Sequence, residues 1–209
     1  WLLAGFLAGL SFEFRYQMGF MVAGLAAWLG LRAIRGASLK APFYYCLGVA
    51  PALILGTVVD YWGYGKPVLA AWNYFHYNIV QGVVESFGGT PWWSLWTMTY
   101  TDTWPVLGSL TLIACVVAWV RHPLHPLTWA QVPFLLVHEW IGHKELRFFY
   151  PLAAAAPAYL ALALAPLPNA WRTQASWPKP LRTLGRLAIG TLEAYQLIAL
   201  LALTFTPAS

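Results

Sequence analysis

Pro42-Phe43-Tyr44-Tyr45-Cys46-Leu47-Gly48-Val49-Ala50-Pro51-Ala52-Leu53-Ile54-Leu55-Gly56-Thr57-Val58-Val59 runs for 18 residues without a charged side chain, and Asp60 closes it. A run of that length reads as a helix crossing a membrane, since about 20 residues at about 1.5 Å each span the hydrocarbon core. The pattern recurs along the chain. Apolar runs stand at about 1–12, 17–31, 104–120, 129–141, 150–166 and 187–205 as well. Several are shorter than a full span, and the run at 129–141 is expected to enter only partway or to be extended by its polar flanks. Of the 209 residues, 60% are hydrophobic and 9% charged, and the mean hydropathy is +0.59. A soluble domain carries about 25% charge. The predicted fold class is therefore all-α, a polytopic transmembrane helical protein of about six spans, in one transmembrane domain over 1–209.

Charge then orients the spans. Arg32, Arg35 and Lys40, then Arg121, then Arg172, Lys179, Arg182 and Arg186 fall by alternation on one side, eight of the 12 cations. The positive-inside rule makes that side cytoplasmic and 167–186 a cytoplasmic basic loop, bent at Pro168, Pro178 and Pro180. The net charge of +5 is thus a matter of topology, and no nucleic-acid partner is expected. The opposite side carries Arg15, Lys66, Lys144 and Arg147 with six of the seven acids. Its longest segment, 60–103, is expected to be an extracytoplasmic interfacial loop. It is too aromatic to be disordered and is broken by Gly63, Gly65, Gly88, Gly89 and Pro91 into short helices. Trp1 begins inside an apolar segment, which predicts a fragment lacking its N-terminal part. Cys46 and Cys115 both sit in apolar runs and read as core residues.

Chemistry concentrates at His143-Lys144-Glu145-Leu146-Arg147-Phe148-Phe149-Tyr150-Pro151. Ionisable residues at a membrane edge must find partners or water, so a cluster of them marks a functional site. Lys144 and Arg147 are three apart and would share a face of a helix. Two cations there, with His143 beside them, suit a phosphate. Arg15 could join the same anion or pair with Glu13. His138 and His143 are five apart, about 140° round a helix, which is the wrong spacing for a zinc helix. No metal is expected, and Glu139 and His143, four apart, would pair instead.

The outer segment carries a different signal. Trp72-Asn73-Tyr74-Phe75-His76-Tyr77-Asn78 mixes rings with amides, as sugar sites do: rings cover the apolar face and Asn serves hydroxyls. An interfacial aromatic belt would explain the rings but not Asn73, His76 and Asn78. Phe87-Gly88-Gly89-Thr90-Pro91-Trp92-Trp93 is a tight turn bearing rings. Asp60 stands where a span leaves the membrane, free to cap a helix or bind a hydroxyl.

Taken together, these residues resemble the C superfamily of membrane glycosyltransferases, and within it glycosyltransferase family 22. The likeness runs through Asp60, Tyr64 and Gly65, then Trp72, Asn73, Phe75 and Asn78, then Phe87, Gly89, Pro91 and Trp92. It ends in His143-Lys144-Glu145 with Arg147, Phe148 and Pro151, over about 1–165. Two positions depart from the family pattern: Tyr61 stands where Ser is common, and Trp93 where His is. The resemblance implies an inverting enzyme moving mannose from a polyprenyl- or dolichyl-phosphate sugar to a lipid-linked or extracytoplasmic glycan. The membrane bilayer, that donor and that acceptor would be its partners, with no cofactor besides the donor. Its place would be the plasma (inner) membrane in a bacterium or the endoplasmic reticulum in a eukaryote. His143, Lys144, Arg147 and Arg15 are the candidates for the donor phosphate. Asp60, Tyr64, Trp72, Asn73, His76, Asn78, Trp92 and Glu145 are those for the sugar. The resemblance places the catalytic base in a loop upstream of these motifs, outside this chain. A non-catalytic transporter or scaffold for lipid-phosphate sugars would need the same cations without a base.

The charge alternation makes a direct prediction. Single-cysteine labelling with a membrane-impermeant reagent, in a background without Cys46 and Cys115, should modify Glu85→Cys from the extracytoplasmic side and spare Arg121→Cys. The opposite pattern in membranes of known orientation would invert the whole assignment.

Overall fold

A computed structural model describes residues 1–102 and 105–165, with seven isolated positions beyond (178, 180, 183, 184, 187, 190 and 191). The chain divides into two units, Trp1–Ala163 and Leu164–Ser209, and the first holds the helical bundle and the candidate site. No strand occurs among the described residues. The helices are α1 (Leu2–Phe14), α2 (Gly19–Ile34), α3 (Lys40–Tyr64), α4 (Ala70–Phe75), α5 (Ser94–Asp102), α6 (Pro105–Arg121), α7 (Pro126–Trp140), α8 (Tyr150–Ala154) and α9 (Ala156–Leu164). Six of the seven apolar runs of the sequence are therefore helical. Nearly all of the seventh, and of the expected basic loop at 167–186, lies outside the described residues.

By length and composition two helices suffice to cross a membrane alone, Tyr16–Ile34 (α2 with the turn before it) and α3. The number rises to four if α6 with α7, and α8 with α9, each count as one bent span. Such helices need no help from water, because every backbone hydrogen bond is made within the segment.

Small residues hold the bundle together. Gly5 and Gly9 of α1 lie one turn apart and pack against Tyr45, Val49 and Ala52 of α3. A Cβ on Gly5 would collide with the Tyr45 carbonyl, and one on Gly48 with the Leu2 carbonyl. The two helices thus meet backbone to backbone, as membrane helices do where lipid offers no hydrophobic drive and close van der Waals packing must serve. α2 and α7 repeat the device, with Gly24 against the Trp129 carbonyl. Larger side chains fill the remaining space. Trp28, Leu29 and Tyr45 form one buried group, and Leu95, Phe134, Leu135, Phe149 and Leu152 another, between α5, α7 and the start of α8. Tyr159 closes a third with Ala114, Cys115 and Ala118, and its hydroxyl donates to the buried Gln131 side-chain oxygen.

The pairing of α2 with α7 also sorts the loops. The Trp28 indole donates to the Leu124 carbonyl at 2.7 Å, bringing the α6–α7 turn to the Arg32 and Arg35 end of α2. Arg15 lies at the other end of α2, beside Arg147.

Three expectations need correction. α3 runs through Gly63 to Tyr64 and stops only at Gly65, whose φ of 67° is left-handed. Asp60 and Tyr64 are therefore helical, and the irregular segment begins at 65 rather than 60. It is a chain of short pieces: α4, a π-helical turn at His76–Val80, a 3-10 turn at Val83–Phe87, and α5. Cys46 lies on the exposed side of α3, and only Cys115 is a core residue. Glu13 and Arg15 do not pair: the Glu13 carboxylate lies against Gly56, and Arg15 turns to Arg147.

Backbone contact makes Gly48 intolerant of size. Gly48→Leu should lower stability by roughly 1–3 kcal/mol or more through overpacking. Gly30→Leu should cost little, since nothing lies within 4 Å of the position. Thermal unfolding of the two variants in detergent checks the contrast.

Candidate functional site

The site begins where α7 ends. His138 and Glu139 stand in its last turn, and at Ile141 the backbone turns extended (φ −65°, ψ 132°). It runs through Gly142, His143 and Lys144 to an extended Glu145 and re-enters a 3-10 turn at Leu146–Phe149. Lys144 and Arg147 are therefore not on one helical face, contrary to the expectation from their spacing. The chain crosses between them, one turned inward and the other outward.

The loop before α5 holds this crossing in place. Thr90 donates to the Gly142 carbonyl through both its N–H (2.7 Å) and its hydroxyl (3.0 Å). His143 Nδ1 lies 3.2 Å from the Gly88 carbonyl. Lys144 Nζ donates to the Ile141 carbonyl at 2.7 Å and to that of Thr90 at 3.4 Å. Lys144 is 3% exposed, so its ammonium works inside the protein. Burial pushes its pKa down, partly offset by the nearby Glu139 carboxylate. Glu139 is buried too, with Lys144 and the Trp96 indole as its polar neighbours.

The outward face is a different set. Arg147 grips Glu145 with a two-point fork: Nη2 donates to Oε1 at 2.9 Å, and Nε meets the other oxygen. His143 Nε2 lies 3.2 Å from the same Oε1. Burial alone would raise the Glu145 carboxyl, but Arg147 and His143 outweigh it and hold it below the usual carboxylate range. His143 thus pairs with Glu145 rather than Glu139. The Arg15 guanidinium donates to the Arg147 carbonyl at 3.4 Å and lies 5.5 Å above the Phe148 ring.

Phe148 is also one wall of a cleft of about 650 Å³. Tyr16 and Phe20 face it from α2 and the turn before it, Trp72 and Tyr74 from α4, and His138 from α7. Gln17 donates to the Tyr74 hydroxyl at 2.8 Å, tying α4 across the mouth. The lining is almost wholly apolar, so the cleft suits a hydrocarbon chain better than a bare sugar.

Of the sugar candidates, Trp72 and Asn78 line this cleft. The Asn78 amide is engaged with the Tyr74 carbonyl at 2.9 Å. Asn73, His76, Trp92, Asp60 and Tyr64 do not line it. His76 stacks near Trp72, with ring centres 6.2 Å apart, and Trp92 packs edge-on against Trp93. Asp60 and Tyr64, with Glu13, act electrostatically on the Tyr16 phenol, which does line the cleft. Gln17 escaped the reading from spacing, and Thr90 and Tyr74 stood in the quoted stretches 87–93 and 72–78 without a role of their own, since all three gain meaning only from what they touch. His138 is visible there only as half of an ill-spaced histidine pair.

The inward pair can be tested by its coupling. Lys144→Met should lower stability by roughly 1–3 kcal/mol, because the carbonyls of Ile141 and Thr90 lose their donor and Glu139 loses the cation near it. Adding Glu139→Gln should restore part of that loss, so the double variant costs less than the sum of the singles. Equal and additive losses in thermal unfolding would mean that the two side chains do not interact.

Residues 20–205 match the Alg9-like mannosyltransferase family. GPI alpha-1,2-mannosyltransferase 3 of Danio rerio is 32% identical over 135 residues, 64% of this chain and 24% of the relative. Its counterpart in Mus musculus is 31% identical over 126 residues, 58% and 22% respectively. GPI mannosyltransferase 3 of Yarrowia lipolytica is 29% identical over 122 residues, 57% and 22%. The chain spans about a quarter of the length of the curated relatives it matches. No solved structure matches it. With the match reaching from the second residue of α2 past the last described helix and taking in the whole of the 141–149 crossing, the chain belongs to the Alg9-like mannosyltransferase family.

Proposed function

We propose that this chain forms part of a multi-pass membrane mannosyltransferase that takes mannose from a polyprenyl- or dolichyl-phosphate donor. The observation that carries the reading is the pairing of an apolar cleft with the Arg15 guanidinium over one of its walls. Arg15 lies over Phe148, a wall of the cleft, and donates to the backbone carbonyl of Arg147, whose own guanidinium is held by Glu145. An isoprenoid chain belongs in the one and its phosphate at the other. The names of the relatives favour a glycosylphosphatidylinositol precursor as acceptor and an α-1,2 linkage as product.

In this reading the acceptor hydroxyl attacks the anomeric carbon directly. Its oxygen forms the new bond, the bond from that carbon to the phosphate oxygen breaks, and the anomeric centre inverts. The lipid phosphate leaves with the electron pair, and a base removes the hydroxyl proton. Charge grows on the departing phosphate, where preorganised cations act most strongly. Arg15 and Arg147 carry that role, with His143 and Glu145 orienting the Arg147 fork. Lys144 supports from beneath by holding the 141–145 segment to Thr90. Trp72 and Asn78 flank the sugar, with Asn73, His76, Asp60, Tyr64 and Trp92 around the approach of the acceptor. Protein cations rather than a metal serve the phosphate.

The membrane arrangement belongs to the same proposal. Six spans, with 65–102 and 141–147 on the extracytoplasmic or lumenal side, put both cations where a lipid-linked glycan arrives. The shared end of the Arg32, Arg35 and Leu124 residues supports this alternation. In a eukaryotic host the site is the endoplasmic reticulum membrane.

Arg147→Lys in the full-length protein is the test. Lysine keeps the charge but cannot make the two-point contact. Turnover of a polyprenyl-phosphate mannose donor should fall about 10- to 150-fold, the value of roughly 1.5–3 kcal/mol for a hydrogen bond to a charged group. A variant within twofold of the parent at matched folding would make Arg147 a surface anchor and remove the phosphate site.

A further inference from the structure

His138 is among the most buried polar side chains described, 2% exposed, yet it forms part of the cleft wall. Its Nδ1 lies 2.7 Å from the Phe134 carbonyl, one turn back on α7. A carbonyl only accepts, so Nδ1 carries the proton, and in the neutral ring Nε2 presents a lone pair. That atom is buried and has no hydrogen-bond partner. With Nδ1 turned back to its own helix, Nε2 is the ring's one free acceptor. The ring is held between Phe134, with centroids 4.1 Å apart, and Phe148, at 5.6 Å. Arg15 is the charged group that acts on it.

A buried acceptor without a partner is costly to keep unless something supplies a donor. Water is a poor candidate here. A buried water needs two to four polar partners, and this ring is walled by two phenyl groups. Phosphate is a poor candidate too, since its ionised oxygens also only accept. The missing partner must bring an O–H or N–H into an apolar cleft, next to a cation that suits a phosphate. The sugar of a lipid-phosphate donor meets both conditions. Its anomeric carbon is one bond from the phosphate oxygen, and its hydroxyls surround that carbon.

We infer that His138 Nε2 accepts a hydrogen bond from a hydroxyl of the donor sugar and so helps decide which hexose the cleft takes. The inference rests on the transferase reading above and adds a specificity-determining residue to it. A site built to bond a hydroxyl rejects an analogue lacking that hydroxyl far better than an apolar wall rejects a change in size. The arrangement also explains why a polar ring stands between two phenyl rings where a third phenyl group would pack.

The experiment compares polyprenyl-phosphate mannose with its single-deoxy analogues on the full-length protein. The parent should use one of the deoxy donors with kcat/KM about tenfold lower than mannose, or less. His138→Phe, which keeps a ring against Phe134 and Phe148, should lose about tenfold on the mannose donor and then use that one deoxy donor equally well. The other deoxy donors should keep their ranking. A His138→Phe protein that retains the parent's full discrimination overturns the inference while leaving the transferase reading intact. A parent that transfers no mannose overturns both. Should His138→Phe fail to fold, the parent decides alone: the nitrogen resonance of His138 Nε2 must shift on binding the mannose donor and stay unmoved with the discriminated analogue. A resonance that responds to neither or to both alike overturns the assignment.

Discussion

Two donors from one threonine converge on a single carbonyl, that of Gly142, and the rest of the site hangs from this joint. A carbonyl oxygen has two lone pairs, and both are used. The joint fixes an extended segment that has no helical or sheet partner of its own. With Gly142 held, Lys144 can only point inward and Glu145 outward. Buried backbone groups must find partners somewhere, and here a loop 52 residues distant supplies them. The cations are thus sorted by backbone geometry before any ligand arrives.

That sorting has an energetic logic. A lysine ammonium buried to 3% would be unfavourable without its carbonyls and Glu139. Arg147, in contrast, stays exposed on the outer face with a carboxylate already in its fork. Exposed pairs of this kind contribute little to stability. In the proposed reading a phosphate would displace or share Glu145 at small cost, whereas taking Lys144 from its place would leave the carbonyls of Ile141 and Thr90 without their donor. The outer pair is arranged for exchange and the inner pair for permanence.

Much of this was legible from residues alone. Continuous apolar runs such as 42–59 specify helices whatever surrounds them, because the backbone has no other way to satisfy itself in lipid. The importance of 143–147 was legible too, because charge is so scarce elsewhere. What the spacing could not give was the direction of each side chain. Three residues apart means one face only if the segment is helical, and Gly142 with its contacts at Thr90 takes it out of the helix. The same holds for α1 and α3. Gly5 and Gly9 carry a small-xxx-small signal in the sequence, but only the partner carbonyls show that it is used. Asn73 and Asn78 look alike in composition, yet one backbone turn puts only Asn78 at the cleft.

The π-helical turn at His76–Val80 follows α4 without a break. Such a turn holds about one residue more than an α-helical turn and is commonly found at functional sites. Its presence gives this surface an evolutionary hinge of sequence length. Loss of His76 or Tyr77 would let the chain wind on as ordinary α-helix with its hydrogen bonds intact. Everything after it would be turned by about 100°. Asn78 and Ile79 would leave the cleft while Trp72 and Tyr74 stayed. Relatives that differ by a single-residue gap here would therefore share the fold and its aromatic shelf but present a different chemistry to whatever the shelf holds.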